Sequence, residues 1–354
     1  MLGDVDVVVI GGGQAGLATA YHLRRAGVDH VVLDAQDEPG GAWQSTWPSL
    51  RLFSPSAYSS LPGWPMPPHP DAFPPVEHVL AYLRAYEERY DLDVQRPVVV
   101  SDVIADDDGL TVLTDVGQIR TRYVVSATGT WAAPFVPTVE GRTDFAGTQL
   151  HSAHYRGPDD FAGQRVAVVG GGNSGVQITA DLVDVAERVS LVSARRLRFL
   201  PDDVDGRHLF DRATARLQAA GDARAQTEAI IGEIVALPRV REARAQGALR
   251  VRAMFDRIVP SGAVIGRELL DLDAIIWCTG YRPALRHLRS LRLRTSDGYP
   301  EVVDNRSTKD RRVCFVGYGD WTGPASATLI GVGRTAKSLA ASLARELADK
   351  THQP

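Results

Sequence analysis

The chain has 354 residues, of which 44% are hydrophobic and 23% charged, and its formal net charge is -4. This composition is typical of a globular protein long enough for two domains, and it gives no reason to expect a nucleic-acid partner or an anionic membrane surface. No apolar run approaches the roughly 20 residues of a membrane helix, and the first strand begins too early for a signal peptide, so we expect a cytoplasmic protein.

The N-terminus is predicted to form a strand, a glycine-rich turn and a helix. Val5 to Ile10 contains five β-branched residues, which predicts a buried strand. Glycines follow at positions 11, 13 and 16, the G-x-G-x-x-G spacing that admits a diphosphate. The next helix, predicted from Gln14 to Ala26, would direct its unpaired N–H groups at those phosphates.

A second strand, His30 to Leu33, ends in Asp34, 18 positions after Gly16. A carboxylate at that place accepts hydrogen bonds from a ribose without a 2'-phosphate. The first unit therefore predicts a site for a dinucleotide with an unphosphorylated ribose, such as FAD.

The segment from Pro39 to Pro75 is rich in proline, serine and aromatic residues and has no periodicity. Long irregular loops inside compact domains are uncommon and are often functional. A plain linker is the alternative, but Trp43, Trp47 and Trp64 would be costly to expose, so we favour a loop packed over a ligand. A helix is then predicted from Pro75 to Tyr90.

Three short strands separated by Asp- and Gly-containing turns predict an antiparallel meander, at residues 98–104, 110–114 and 118–125. The third runs into Ala127-Thr128-Gly129, small residues that a ligand or another backbone can approach. Pro134, Pro137 and Gly141 then mark a crossing to a second domain.

The glycine pattern is repeated after a second predicted strand, Arg165 to Val169, with glycines at positions 170, 172 and 175. The same offset of 18 positions now leads to Ser193 rather than to an acid, and Arg195 and Arg196 follow. A hydroxyl and guanidinium groups can hold a 2'-phosphate that a carboxylate would repel. A solvated basic turn is the alternative, but the matched offset favours NADPH.

The composition of residues 205–247 predicts helices, and short strands are predicted at 249–251 and 263–265. A buried strand from Asp273 to Trp277 leads into Cys278-Thr279-Gly280, which mirrors the earlier Ala-Thr-Gly. The chain is then expected to return to the first domain, with a strand at 313–316 and a final helix that starts near residues 325–328 and runs to Ala348. The two cysteines, Cys278 and Cys314, have neither C-x-x-C nor metal-ligand spacing, so we expect a reduced chain without a metal.

Residues 145–155, FAGTQLHSAHY, resemble the F-x-G-x-x-x-H-x-x-x-W/Y fingerprint of class B flavin monooxygenases. The fingerprint lies between the two glycine motifs, as it does in that family. Gly40-Gly41-x-Trp43 and the Ala-Thr-Gly at 127–129 also match. The short length and the segments 47–50 and 199–203 resemble the bacterial branch named after arsenic-resistance operons.

The resemblance implies an α/β fold of two Rossmann-like dinucleotide-binding domains of the three-layer ββα type. The NADPH domain, residues 141–277, would be inserted into the FAD domain, residues 1–140 and 278–354. NADPH would reduce FAD, oxygen would add as a C4a-(hydro)peroxyflavin, and one oxygen atom would pass to a small soft nucleophile. The expected partners are thus O2 and a small-molecule substrate, and a homodimer is compatible with the sequence.

The alternative function is an NADPH-dependent flavin oxidoreductase that passes electrons to a quinone, a disulfide or a partner protein. A disulfide reductase needs a redox-active cysteine pair beside the flavin, whereas Cys278 and Cys314 are placed separately. Oxygen activation is therefore favoured.

The resemblance also assigns residues. The implied FAD ligands are Gly11, Gly13, Gln14, Ala15, Gly16, Asp34, Ala35, Gly41, Trp43, Thr128, Gly129 and Asp320. The implied NADPH ligands are Gly170, Gly172, Asn173, Ser174, Gly175, Ser193, Arg195 and Arg196. His151 and Tyr155 would couple the two domains, and the final helix would direct its dipole at the flavin pyrimidine edge. The candidate catalytic residues are His151, Tyr155 and Ser54.

Two departures from the family bear on the substrate. Members that oxygenate amines carry an asparagine near Ser54, but no asparagine occurs between Trp43 and Pro75. The fingerprint also ends in Tyr155-Arg156 rather than the Trp-Pro or Trp-Asp of Baeyer-Villiger enzymes. Sulfur or another soft heteroatom is therefore favoured over nitrogen hydroxylation and lactone formation.

Overall fold

The computed structural model describes residues 3–202, 204, 233–296, 298–323 and 325–351. Most of the predicted helical stretch at 205–247 lies outside these residues. The described helices are α1 (Gln14–Arg25), α2 (Val76–Arg89), α3 (Asn173–Leu182), α4 (Pro238–Ala245) and α5 (Leu329–Thr351).

A first sheet contains nine strands of the described chain, and its central strands are parallel. Its strands are β1 (Val5–Ile10), β2 (His30–Leu33), β3 (Val94–Gln95), β4 (Val100–Ala105), β5 (Leu110–Thr114), β6 (Gly117–Ser126), β15 (Val302–Val303), β16 (Arg306–Ser307) and β17 (Val313–Phe315). The order across the sheet is β15-β16-β17-β6-β1-β2-β3, while β4, β5 and β6 form the predicted antiparallel meander.

A second sheet has five described strands, all parallel, in the order β10-β9-β8-β14-β7. They are β7 (Thr148–His151), β8 (Arg165–Val169), β9 (Arg188–Val192), β10 (Val251–Arg252) and β14 (Ala274–Trp277). A separate antiparallel meander consists of β11 (Arg257–Val259), β12 (Gly262–Ile265) and β13 (Glu268–Asp271). The sequence did not predict β7, β11 or β13 because these segments are short and mix polar or charged with apolar residues.

The two sheets repeat one arrangement. In each, the strand before the glycine loop is central, with the next strand on one side and a strand from much later in the chain on the other. Each sheet is covered by helices on one face and by an antiparallel meander on the other, as alternate residues show: Val7 and Val9 pack with the helices, and Val8 and Ile10 with the meander. Val168 and Val169 divide in the same way in the second sheet. This is the predicted three-layer ββα architecture.

The chain passes between the two sheets twice, and the two crossings run side by side. The amide of Phe135 donates to the carbonyl of Gly280 (3.0 Å), and the amide of Arg282 donates to that of Ala133 (2.8 Å). Trp131 stacks on Tyr281, with 5.2 Å between ring centroids. The strands of the second sheet all come from residues between these crossings, while the domain boundaries at 140 and 277 remain a prediction.

The last helix begins at Leu329, directly after the predicted start at residues 325–328. Ala325 has a left-handed backbone (φ 59°), which a right-handed helix cannot include. Thr328 caps the helix instead, because its Oγ1 accepts a hydrogen bond from the amide of Gly331 (3.1 Å).

Candidate functional site

The glycines after β1 form a tight turn between strand and helix. Gly11 has φ +107°, and a Cβ there would lie 2.7 Å from the carbonyl oxygen of Ala127, at the end of β6. A Cβ on Gly16 would collide with the carbonyl of Gly11. These two glycines are therefore required by the packing of the turn against the sheet and the helix.

The glycines after β8 meet the same constraints. Gly170 has φ +138°, and a Cβ there would collide with the carbonyl of Cys278, at the end of β14. A Cβ on Gly175 would collide with the carbonyl of Gly170. The repeated pattern in the sequence thus corresponds to a repeated structure.

The middle glycine of each motif has a different reason to be glycine. Gly13 and Gly172 have φ values of -79° and -98°, which any residue adopts. A Cβ would meet only Gly41 Cα at 3.7 Å in the first case and nothing within 4 Å in the second. Since neither conformation nor packing demands glycine, the open space is suited to a ligand backbone, and both loops fit a dinucleotide diphosphate at a helix N-terminus.

A cavity of about 1470 Å³ opens at the first glycine loop. Of the predicted FAD residues, its wall includes Gly11, Gly13, Gln14, Ala15, Asp34, Ala35, Gly41, Trp43, Thr128 and Gly129. Gly16 lies behind the loop, and the side chain of Asp320 lies outside what the structure describes. Ten residues that are dispersed over more than 110 positions of sequence thus meet at one cavity.

Two of these residues tie the loop that follows β2 to the last helix. Trp43 Nε1 donates to Gln14 Oε1 (3.0 Å), and Gln14 Nε2 donates to the carbonyl of Ala327 (2.6 Å). The side chain of Gln14 therefore holds the indole of Trp43 and the turn before α5 on the same side of the cavity.

Asp34 is part of a buried charge cluster that the sequence did not reveal. Arg96 Nε donates to Asp34 Oδ2 (3.1 Å), and the two terminal nitrogens of Arg96 donate to Glu87 (2.6 and 2.9 Å). The side chains of Arg96, Asp34 and Glu87 are only 8%, 7% and 14% exposed. Arg96 thereby fixes the carboxylate that the spacing assigns to the ribose.

The second loop is bordered by the predicted phosphate ligands. A Cβ on Gly171 would lie 2.7 Å from Ser193 Oγ, as one on Gly12 would lie 2.6 Å from Asp34 Oδ2, so serine and aspartate occupy equivalent places. Ser193 Oγ accepts from the amide of Arg195 (3.1 Å). The side chains of Arg195 and Arg196 are exposed and have no ion-pair partner in the described part of the chain.

The other predicted residues of this loop lie at the start of α3. Asn173 Oδ1 accepts from the amide of Val235 (3.3 Å), which ties the helix start to the chain that follows the undescribed segment. Ser174 is half-buried in the first turn of α3.

His151 joins the fingerprint to the second crossing. Its Nδ1 accepts from the amide of Ala153 (3.1 Å), so Nε2 carries the proton that it donates to the carbonyl of Gly280 (3.0 Å). Burial lowers the pKa of His151, and the ring is neutral at pH 7. It is not part of the cavity wall and lies where it can hold the crossing in place.

Tyr155 connects the irregular loop to the second sheet. Its buried ring stacks on Phe161 (5.9 Å) and meets Trp47 edge to face (5.9 Å). Ser49 donates to Asp181 on α3, and Arg156 donates to the carbonyl of Ser45 (3.1 Å). The loop therefore fastens the two halves of the chain together.

Only part of the aromatic loop faces the cavity. The prediction of a loop packed over a ligand is therefore limited to the residues of the loop that line the cavity. Trp43, Thr46 and Leu50 line the cavity, whereas Trp64 packs against Tyr82 on α2. Ser54 is buried with its Oγ 3.0 Å from Ser59 Oγ, and it is not part of the cavity wall.

A buried polar network that the sequence analysis missed adjoins the cavity, and its members His287 and Thr128 belong to the cavity wall. His287 Nε2 is 3.1 Å from Ser126 Oγ, which in turn contacts the hydroxyl of Tyr318 (2.5 Å). Tyr318 also contacts Thr128 Oγ1 (2.8 Å). The network fixes the end of β6 and hence the predicted ligands at 128 and 129.

The network makes stability depend on pH. Burial lowers the pKa of His287 from 6.5 to about 4. Between these pH values His287 is therefore protonated in the unfolded chain and neutral in the folded chain. The free energy of unfolding should therefore fall as the pH drops from 6.5 to about 4, by at most about 3 kcal/mol from this residue. In urea unfolding at pH 7.5 and 5, H287Q should lose less stability than the wild type. An equal loss in both would contradict the assignment.

Comparisons with known proteins agree with this architecture. Residues 8–317 match the pyridine nucleotide-disulphide oxidoreductase family. A solved flavin-containing monooxygenase from Stenotrophomonas maltophilia is 46% identical, with a TM-score of 0.90 over 98% of this chain and 100% of that one. The chain belongs to the pyridine nucleotide-disulphide oxidoreductase family and, within it, to the class B flavin monooxygenases.

Two further relatives have the same character. The uncharacterized oxidoreductase CzcO of Bacillus subtilis is 28% identical over 94% of this chain and 97% of its own length. The indole-3-pyruvate monooxygenase YUCCA6 of Arabidopsis thaliana is 35% identical over 57% of this chain and 51% of its own.

The predicted family and fold are thus confirmed. As a class B flavin monooxygenase this protein is an oxidoreductase, and membership in the family implies FAD and NADPH as its cofactors. None of the helices that the structure describes has the length and apolar character needed to cross a bilayer.

Proposed function

We propose that this flavin monooxygenase uses NADPH and O2 to transfer one oxygen atom to a small soft nucleophile, with sulfur favoured over nitrogen and carbonyl carbon. The observation that carries the proposal is the pair of equivalent glycine loops, each with an open middle glycine at a helix N-terminus. Two dinucleotide sites in one chain are what hydride transfer from NADPH to FAD requires.

The chain's own residues would divide the work as follows. Gly13 and α1 would hold the FAD diphosphate, and Asp34 the adenosine ribose. Gly172 and α3 would hold the NADPH diphosphate, and Ser193 with Arg195 its 2'-phosphate. Bound FAD, once reduced, supplies the chemistry that activates O2.

The remaining predicted residues would position the parts of the chain around the cavity and shield the cavity from water. Gln14 would fix Trp43 as a wall of the cavity, while the neutral imidazole of His151 and the ring of Tyr155 would hold the second half of the chain against the first. Ser54 would act through the loop, because its hydroxyl contacts Ser59. The final helix, which starts at Leu329, would stabilise a negatively charged reduced cofactor through its dipole.

The cysteines support oxygen rather than a disulfide as the electron acceptor. Both are free, and Cys314 lies fully buried in β17. Burial raises the pKa of Cys278 and of Cys314 to about 12, so neither is a thiolate at pH 7. Thiol–disulfide exchange needs a thiolate, which these residues do not provide.

The test is product analysis under 18O2. The purified holoenzyme with NADPH is given dimethyl sulfide, trimethylamine or cyclohexanone at equal concentrations. We expect dimethyl sulfoxide with one 18O atom for each NADPH oxidised. NADPH oxidation that yields only hydrogen peroxide, or that proceeds faster with a quinone or a disulfide and without O2, would contradict the proposal.

A separate prediction concerns the coenzyme. Replacing Arg195 and Arg196 with alanine should raise the KM for NADPH at least about tenfold, because two charge-assisted contacts to the 2'-phosphate would be lost. The KM for NADH should change little. Initial-rate measurements with both coenzymes check this, and equal effects on the two would make the arginines a surface turn only.

A further inference from the structure

A row of arginines forms one rim of the FAD cavity. Arg286, Arg289, Arg292 and Arg294 all belong to the cavity wall, and all four are exposed. None of them has an ion-pair partner within the described ranges of the chain. We call these four residues the arginine rim. In a chain of net charge -4, such a concentration of unpaired positive charge is a local feature.

The segment that carries the arginine rim is anchored. Leu285, Leu288 and Leu293 are buried in the core below it. Lys309 Nζ donates to the carbonyls of Arg292 (3.2 Å) and Arg294 (2.7 Å). The arginines are therefore presented by backbone that the core holds in place.

The arginine rim lies toward the Asp34 end of the cavity. The amide of Val98 donates to the carbonyl of Asp34 (2.8 Å), and residues 98–101 continue the cavity wall. The next residue, Asp102, accepts a hydrogen bond from the hydroxyl of Ser290, within the rim segment. Asp102 is thus an acid in contact with this segment, and its single charge does not offset four guanidinium groups.

Bound FAD does not account for this charge. Its diphosphate would be held at Gly13 and the N-terminus of α1, and the ribose and adenine that would lie near Asp34 carry no phosphate. Guanidinium groups in a row favour a multivalent anion, above all phosphate, through charge-assisted hydrogen bonds.

We propose that the arginine rim binds the di- or polyphosphate group of a nucleotide at the mouth of the FAD cavity. The inference rests on the proposed function only in taking FAD as the cofactor of that cavity. Two sources share this chemistry: FAD on its way into the cavity, and a second nucleotide that docks on the loaded enzyme. In the first case the rim acts by electrostatic steering, which raises association rates by about 10- to 1000-fold in proteins.

The test uses two triple variants of equal charge. The rim variant is R286Q/R289Q/R294Q, and the control variant is R257Q/R267Q/R345Q, at exposed arginines that do not line the cavity. Arg292 is left unchanged because its backbone is left-handed (φ 49°). Circular dichroism and flavin content first establish that both variants are folded and loaded.

The first measurement is calorimetric titration of each holoenzyme with inorganic pyrophosphate. A docked nucleotide would be supported if pyrophosphate binds to the wild type and to the control variant, and if its affinity for the rim variant is lower by about tenfold or more. The second is the rate at which the deflavinated full-length chain recaptures FAD, followed by quenching of flavin fluorescence. A rate about tenfold lower in the rim variant, and less dependent on salt, would support steering of FAD.

The proposal is overturned if the rim variant has the same affinity for pyrophosphate as the wild type and also recaptures FAD at the same rate. Equal changes in the rim and control variants overturn it too, since they would reflect net charge alone. Neither measurement depends on oxygenation of a substrate. Both results can therefore be interpreted even if the proposed monooxygenase reaction is not observed.

Discussion

Replacing Gly13 with valine should yield a folded protein that does not retain FAD. A Cβ at Gly13 meets only Gly41 Cα at 3.7 Å, and the φ of -79° suits any residue, so neither the backbone nor the first side-chain carbon opposes the change. The added methyl groups would occupy the space of the diphosphate. An overpacking cost of about 3 kcal/mol corresponds to about a hundredfold loss of affinity.

The same change in the second loop should have a different outcome. The G172V protein should remain yellow but should be reduced by NADPH at least about a hundredfold more slowly at subsaturating coenzyme. Absorbance at the flavin band reports the first variant, and anaerobic stopped-flow reduction reports the second.

Gly157 offers a matched control, since a Cβ there meets nothing within 4 Å and it belongs to neither loop. The G157V protein should keep both FAD content and the rate of reduction. If G13V retained its flavin, the first loop would not be the diphosphate site. If G172V lost its flavin but was otherwise reduced normally after reloading, the assignment of the two loops would be reversed.

Replacing Arg96 with methionine should have the largest effect on stability. The substitution leaves Asp34 and Glu87 buried, both negatively charged and without their common partner. Breaking a buried ion pair from one side costs about 3–5 kcal/mol, because an uncompensated charge remains in a medium of low polarity. We expect a loss of that size in the free energy of unfolding, together with weaker FAD retention.

The control is the exposed pair of Arg24 and Asp91, whose side chains are 52% and 90% exposed. Removing an exposed partner costs at most about 1 kcal/mol, so R24M should be nearly as stable as the wild type. Urea unfolding of the holoenzymes measures both variants. A loss below about 1 kcal/mol in R96M would contradict a stabilising role of this buried cluster.

The sequence predicted those parts of the fold that depend on local pattern. The strand at Val5–Ile10, the helix that follows Gly13 and the second strand at Arg165–Val169 all appear where expected, because periodicity and glycine spacing are short-range signals. The buried meander strand at Gly117–Ser126 was also predicted. Its place beside β1 in the sheet was not, since strand order is set by contacts far apart in the chain.

The contacts that complete the site could not be predicted for the same reason. Arg96 meets Asp34 across 62 positions of sequence, and His287 meets Ser126 across 161. Neither arginine nor histidine has a local pattern that names its partner. Trp47 was noticed as too costly to expose, yet its burial against Tyr155 rather than over a ligand depends on how the two sheets approach each other.

The two crossings between the sheets have a mechanical consequence. A unit attached by one strand of chain can turn freely about single bonds, whereas here two strands enter and leave together, joined at Phe135–Gly280 and Arg282–Ala133. A rotation of one half about the direction of the two crossings would break these hydrogen bonds. A hinge rotation that bends both crossings together would leave them intact. Any such hinge rotation would also have to release the contacts of Trp47 with Tyr155 and of Ser49 with Asp181, which join the two halves at a second place.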